Sequence, residues 1–227
     1  MQAPQATGET HGRWRRRKVD RPAEILEAAL AIFVERGFRA SRLEDVGARA
    51  GVTKGTIYLY FRNKEALFVQ VVRETIEPFL TEAEHTIAGY DGSAEELLTL
   101  LVHRYWTRLG QDKMAAITRL MQVEGANFPD LAAFYASEVL GRGRRIVEQV
   151  LQHGVARGEL RSVDPAYFAD ALFAVLELAS TQRYTFRRYD TAQLDPTVLV
   201  HTALDLLLRG LVTPATPAPV SKEESRG

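Results

Sequence analysis

The chain has no cysteine in its 227 residues, which excludes a disulfide framework, thiolate catalysis and any cysteine-built metal site. It has no apolar run of about 18 residues, the length that marks a membrane-crossing helix. Its first twelve residues are polar and do not form a secretory leader, so a cytoplasmic chain with no membrane partner is expected. Histidine is scarce, at 11, 85, 103, 153 and 201, and none has a second ligand at metal spacing; no metal and no cofactor are expected. No Ser/His/Asp arrangement can be argued. Gly141-Arg142-Gly143-Arg144-Arg145-Ile146 lacks the preceding strand and third glycine of a dinucleotide loop, and Gly51 to Thr56 lacks the P-loop spacing, so an enzyme is not expected.

Net charge is also absent, with 29 basic and 29 acidic side chains, but the balance is uneven along the chain. From Arg13 to Lys64 there are 13 Lys/Arg and 6 Asp/Glu; residues 1 to 12 contribute −1 and residues 65 to 227 contribute −6. A basic first quarter on an acidic remainder is the asymmetry of a nucleic-acid-binding head joined to a body with another task. The apolar fraction of 46% suffices for a substantial core in one or two domains, and its period is helical throughout, with nothing that reads as a strand. The expected fold class is all-α.

The informative stretch is Ser41 to Phe68. Ser41-Arg42-Leu43-Glu44 has the form of a capping box, and Leu43, Val46 and Ala50 make one apolar stripe that Gly51 ends. Thr53 is a good N-cap for a second helix, with Val52 and Ile57 placed as a hydrophobic staple. Ile57 and Phe61 can pack inward, which leaves Thr53, Lys54, Gly55, Thr56, Tyr58, Leu59 and Tyr60 as an outer surface of donors and aromatic edges with no acid. Free N–H groups at the helix start favour an anion, Gly55 permits close backbone approach, and hydroxyls, phenols and Lys54 add directional donors. Asn63 caps a third helix whose first residue, Lys64, is placed for a second phosphate contact.

The gapless string from Gly51 to Phe68, G-V-T-K-G-T-I-Y-L-Y-F-R-N-K-E-A-L-F, resembles the signature of the TetR family of bacterial transcription regulators. With the helix at Arg21 to Arg36, the resemblance covers about the first third of the ordered chain. It implies base reading and phosphate gripping by Lys54, Gly55, Thr56, Tyr58, Leu59 and Tyr60, with Lys64 and the helix-start residues Ser41 and Arg42 on the DNA backbone. Leu59 could touch a thymine methyl or shield the interface. The implied protein is a homodimer that binds a palindromic double-stranded operator and is released by a small-molecule effector. An architectural DNA-binding dimer indifferent to ligand is the alternative.

Residues 1–20, with Arg13-Trp14-Arg15-Arg16-Arg17-Lys18, read as a disordered basic arm that either follows DNA or only solubilises the chain. The head is placed at 21–66, beginning with an amphipathic helix that has Pro22 in its first turn, and a helical ligand-binding and dimerisation body at 67–212; residues 213–227 read as a disordered tail. A long helix from about Lys64 to Thr86 links head and body. Further helices are expected at Ser93 to Leu109, Asp112 to Glu124, Pro129 to Arg157, Pro165 to Arg188 and Asp195 to Leu211, with caps at Ser93, Asp164 and Asp195.

The last two helices are apolar over more than one stripe and must be covered on two sides, which points to a four-helix bundle with a second copy through Phe168, Leu172, Val175, Leu204 and Leu208. Two recognition helices roughly 34 to 36 Å apart then reach successive major grooves. Aromatic, sulfur and isolated polar residues could line an effector pocket: His103, Trp106, Met114, Met121, Glu124, Phe134, Phe173 and Glu177, although such residues are core more often than pocket. Glu177, an acid inside an apolar run, could meet a ligand, a dimer salt bridge or solvent.

Overall fold

A computed structural model describes the backbone at residues 9–110, 112–189, 191–192 and 194–211, and side chains from residue 21 on except at 112. Every regular element among these residues is helical. In order they are α1 (Glu9–Arg36), α2 (Leu43–Ala50), α3 (Lys54–Tyr58), α4 (Lys64–Ala88), α5 (Ala94–Leu109), α6 (Asp112–Glu124), α7 (Pro129–Tyr135), α8 (Gly141–Ala156), α9 (Pro165–Thr181) and α10 (Pro196–Arg209). A 3₁₀ turn at Gly125–Asn127 precedes α7, and π-helical turns at Ala136–Leu140 and Gln182–Phe186 follow α7 and α9.

Helix α1 starts at Glu9 rather than Arg21, so a large part of the expected disordered arm continues this helix and Pro22 lies inside it. The stretch consists largely of Arg, Lys, Trp and Val, with a single glycine as breaker, so helix continuation is not opposed. Whether the arm touches DNA depends on side chains outside the described residues, as does the expected tail at 213–227.

The chain divides into two compact units, one formed by the chain through Gly89 with Leu101–Arg145, the other by Tyr90–Leu100 with the chain from Ile146 on. Helix α4, which starts at the expected end of the head, shares the first unit with α1, α2 and α3. There Ile25, Ala29, Phe33, Val46, Ile57, Leu67 and Phe68 are all fully buried, each large side chain contributing roughly 1.5–3 kcal/mol. The rings of Phe33, Phe38 and Phe68 lie 5.1 to 5.8 Å apart in tilted or edge-on pairs. Arg142 in α8 is mostly buried against α4: it donates to both Glu84 oxygens at 3.0 and 2.8 Å and to the Thr81 hydroxyl at 3.2 Å. It also holds the Glu84 carboxyl below the usual range. The Arg-rich start of α8 is therefore not only a solvated face.

Gly47 sets how closely α2 meets the turn and α3. A Cβ there would stand 2.9 Å from the Val52 carbonyl oxygen and 3.5 Å from Ile57 Cδ1. Gly47→Ala is expected to destabilise the protein by ~1–3 kcal/mol through overpacking, outweighing the helix-propensity gain of about 1 kcal/mol. A urea midpoint equal to or above that of the parent would contradict this.

In the second unit, Asp164 and Asp195 cap α9 and α10 as expected, accepting N–H bonds from Ala166 at 2.9 Å and Thr197 at 2.8 Å. The face assigned to a second copy requires correction. Phe168, Leu172, Leu204 and Leu208 are buried inside their own subunit and Val175 is half-buried. What α9 leaves open is Tyr167, Ala171, Ala174 and Leu178, and α10 leaves Val198 and Leu206. Both stripes are apolar, so hydrophobicity alone did not say which one the subunit uses for itself.

Candidate nucleic-acid interface

Gly51 ends α2 with φ 65°, a left-handed conformation that glycine adopts without strain, and Val52 N–H returns to the Gly47 carbonyl at 2.9 Å. Thr53 then caps α3, its hydroxyl accepting the Thr56 N–H at 3.2 Å and lying 2.9 Å from the Thr56 hydroxyl. Helix α3 is only five residues long. Leu59 and Tyr60 thus sit on the turn after it, but they keep the outward position expected of them: Tyr58, Leu59 and Tyr60 are 48%, 80% and 38% exposed. Lys54, Gly55 and Thr53 are likewise at the surface, while Ile57 and Phe61 are buried.

The capping box at Ser41 does not form. Helix α2 starts at Leu43 with Arg42 as its extended first flank and no side-chain cap. The Ser41 hydroxyl is buried and donates to the Gly37 and Ile32 carbonyls at 2.6 and 3.2 Å, satisfying the end of α1. Glu44 is drawn the other way, into an ion pair with Lys54. The Ser41 hydroxyl is thus taken up inside the fold and not presented at the surface as expected.

Eight described cations stand between Arg21 and Lys64, and their partners differ. Arg36 pairs with Asp45 at 2.9 Å and Arg49 with Glu35 at 2.6 Å, ties between α1 and α2. The Lys54 ammonium hydrogen-bonds Glu44, which lowers that carboxyl's pKa and raises the lysine's. Lys64 is the larger correction. Its ammonium donates to the carbonyls of Phe38 at 2.7 Å, Ser41 at 3.1 Å and Arg39 at 3.2 Å, over the Phe38 ring at 4.6 Å. All three protons are used, and burial pushes its pKa down. The side chains of Arg21, Arg39, Arg42 and Arg62 form no hydrogen bond or ion pair among the described residues. Arg39 and Arg62 were missed because sequence shows where cations lie but not which ones tertiary neighbours have already neutralised.

Two family models match this chain: bacterial regulatory proteins of the tetR family over residues 25–71, and the tetracyclin repressor-like C-terminal domain over residues 91–188. The chain belongs to the TetR family. As a TetR-family protein it is a DNA-binding transcriptional regulator, and the matched residues include the whole helix-turn-helix. The fatty acid metabolism regulator protein of Bacillus subtilis strain 168 is 27% identical over 190 residues, 83% of this chain and 94% of that one. The structure of FadR from Bacillus subtilis in complex with stearoyl-CoA is similar, with a TM-score of 0.71 at 26% identity, covering 83% of this chain and 98% of that chain. The complex of SmeT with triclosan gives a TM-score of 0.72 at 25% identity over 91% of this chain and 99% of its own; SmeT is the repressor of a Stenotrophomonas maltophilia multidrug efflux pump.

The expected effector residues are more scattered. In the first unit Trp106, Met114 and Met121 are buried, and Phe134 is half-buried with the Arg73 guanidinium 5.5 Å from its ring. His103 is exposed, and the Glu124 carboxylate is committed to the Arg39 N–H at 3.2 Å. In the second unit Phe173 is half-buried, and Glu177 is exposed rather than enclosed. A cleft of about 1060 Å³ in the first unit, walled by Leu26, Tyr60, Phe61, Val69, Phe128 and Leu131 among others, includes none of the eight.

Proposed function

We propose that this TetR-family regulator acts in the cytoplasm as a homodimeric repressor on a palindromic operator and is released by a small, largely apolar effector. The observation that carries the reading is the outward segment from Thr53 to Tyr60, which contains no acid of its own, although Glu44 of α2 pairs with Lys54, and which is fixed by the Thr53 cap. Lys54, Gly55, Thr56, Tyr58, Leu59 and Tyr60 meet base edges and adjacent phosphates, while Arg39, Arg42 and Arg62 grip the backbone. Ser41 and Lys64 are withdrawn from that set. The long acyl chain of the stearoyl-CoA bound by one similar regulator and the triclosan bound by the other support an effector with a large apolar part, for which Trp106, Met114, Met121 and Phe134 are the candidate contacts. DNA and effector then bind with reciprocal negative coupling, through a shift of α4 that changes the separation of the two recognition helices.

The test starts by selecting bound fragments from random DNA with the purified protein. On the selected operator, Tyr58→Ala is expected to weaken binding by about 10- to 100-fold, the value of a good base contact, at an unchanged melting midpoint. Gly55→Ala separates interface from fold. A Cβ there meets only Thr53 Oγ1, at 3.8 Å, so the variant folds at least as well, yet its methyl group stands between the backbone and DNA and weakens binding. Parental affinity of both variants at matched salt would overturn the assignment.

A further inference from the structure

We propose that Glu124, the last residue of α6, is a positioning residue for operator binding: its carboxylate holds the loop between α1 and α2 at Arg39, whose guanidinium reaches a phosphate. The proposal rests on the DNA-binding reading above and adds a residue 85 positions away from the loop it serves. Glu124 Oε1 accepts the backbone N–H of Arg39 at 3.2 Å. The same oxygen lies 3.2 Å from where a Cβ on Gly37 would stand, so the loop passes close beneath the carboxylate at a glycine. Glu124 Oε2 accepts from Asn127 Nδ2 at 3.4 Å, and Phe128, next in the chain, meets the Phe38 ring edge-on at 4.8 Å and 88°.

The same loop's carbonyls at Phe38, Arg39 and Ser41 are taken by Lys64, whose ammonium also feels the Glu124 carboxylate. The loop backbone is thus held by one residue of α6 and one of α4, and the Arg39 and Arg42 side chains remain for an outside partner. A carboxylate at a helix C-terminus opposes the helix dipole, so its place there is otherwise unfavourable; the Arg39 N–H supplies a compensating donor. Bulk electrostatics gives the opposite sign for a variant: removing an acid near a polyanion should tighten binding. A loosened loop should weaken it.

The experiment is fluorescence anisotropy of full-length protein on the selected operator over a salt series. Glu124→Ala is expected to weaken binding about tenfold and to lower the slope of log affinity against log salt by about 0.9, the value of one phosphate contact, as Arg39→Gln does. The two substitutions combined should be no weaker than Arg39→Gln alone, because they remove one contact. Glu124→Gln keeps an oxygen that accepts the same N–H and should retain parental affinity. Parental or tighter binding by Glu124→Ala, additivity in the double variant, or failure of Glu124→Gln to restore binding would each overturn the proposal. Should Glu124→Ala not fold, Glu124→Asp, one methylene shorter, carries the same expectations. Tyr58→Ala in the same series separates the two levels: if it too binds normally, the DNA-binding assignment fails, whereas if it alone is impaired, only the role of Glu124 fails.

Discussion

Lys64→Ala is expected to cost the protein its operator binding by loosening the DNA-binding head, with a drop of about 4–16 °C in melting midpoint. The ammonium makes three hydrogen bonds to carbonyls that close the junction between α1 and α2, and it sits on the Phe38 ring. A hydrogen bond from a charged donor contributes about 1.5–3 kcal/mol, and the Phe38 contact about 0.5–1 kcal/mol. Water can reach part of this site, so the discounted loss is ~2–4 kcal/mol, which at roughly 2–4 °C per kcal/mol for a chain of this size gives the stated range. Lys64→Arg should not rescue, because a planar guanidinium cannot direct three donors at carbonyls converging on one point. A structural role also makes the defect reversible: trimethylamine oxide, which favours compact states, should restore operator binding to Lys64→Ala with the parental salt slope. An unchanged midpoint together with a salt slope smaller by about 0.9 would return Lys64 to the phosphates.

That outcome turns on what local sequence can and cannot encode. The helix-turn-helix was legible because its determinants lie within a few residues of one another: Thr53 with Thr56, Asn63 with Ala66, and Gly51 at the left-handed end of α2. The same holds for the reciprocal bonds between Ser93 and Glu96, at 3.1 and 3.2 Å. Ser41 and Glu44 present the same spacing and do not pair, since competing partners lie outside the window: the end of α1 for the serine and Lys54 for the glutamate. Lys64 reaches carbonyls 23 to 26 residues back, and Glu124 reaches the loop from 85 residues away. Both were read as contacts for ligands outside the fold because an unpaired charge in a helical pattern gives no sign of a distant partner. In α9 and α10 the limit is one of phase. Two apolar stripes foretold two covered sides but not which side the subunit covers itself.

That phase carries a second large effect. Leu178→Glu with Leu206→Glu is expected to convert the proposed dimer into folded monomers, raising the dimer dissociation constant at least about a hundredfold. Leu178 ends the outward strip of α9 that runs through Tyr167, Ala171 and Ala174 at helical spacing, and Leu206 is the counterpart on α10; the two are 51% and 65% exposed in the isolated subunit. The alanines lack bulk and let a partner helix approach closely, so carboxylates beside them would be desolvated without a counter-charge, at about 1–3 kcal/mol or more each. Two-fold symmetry doubles that cost, since each substitution enters the interface twice. Leu172→Glu and Leu204→Glu serve as controls on the inner stripe, where an unpaired buried carboxylate should unfold the subunit itself. Light scattering behind a sizing column reads the mass, and far-ultraviolet circular dichroism reads the fold. Because tethering two heads makes the second half-site contact intramolecular, the folded monomer should also lose the operator's palindromic advantage, a further drop on the order of 10²-fold that a single half-site does not show. If the outer double variant stays dimeric while the inner variants fold as monomers, the subunit joins its copy through Leu172 and Leu204 after all, and the outward strip has another use.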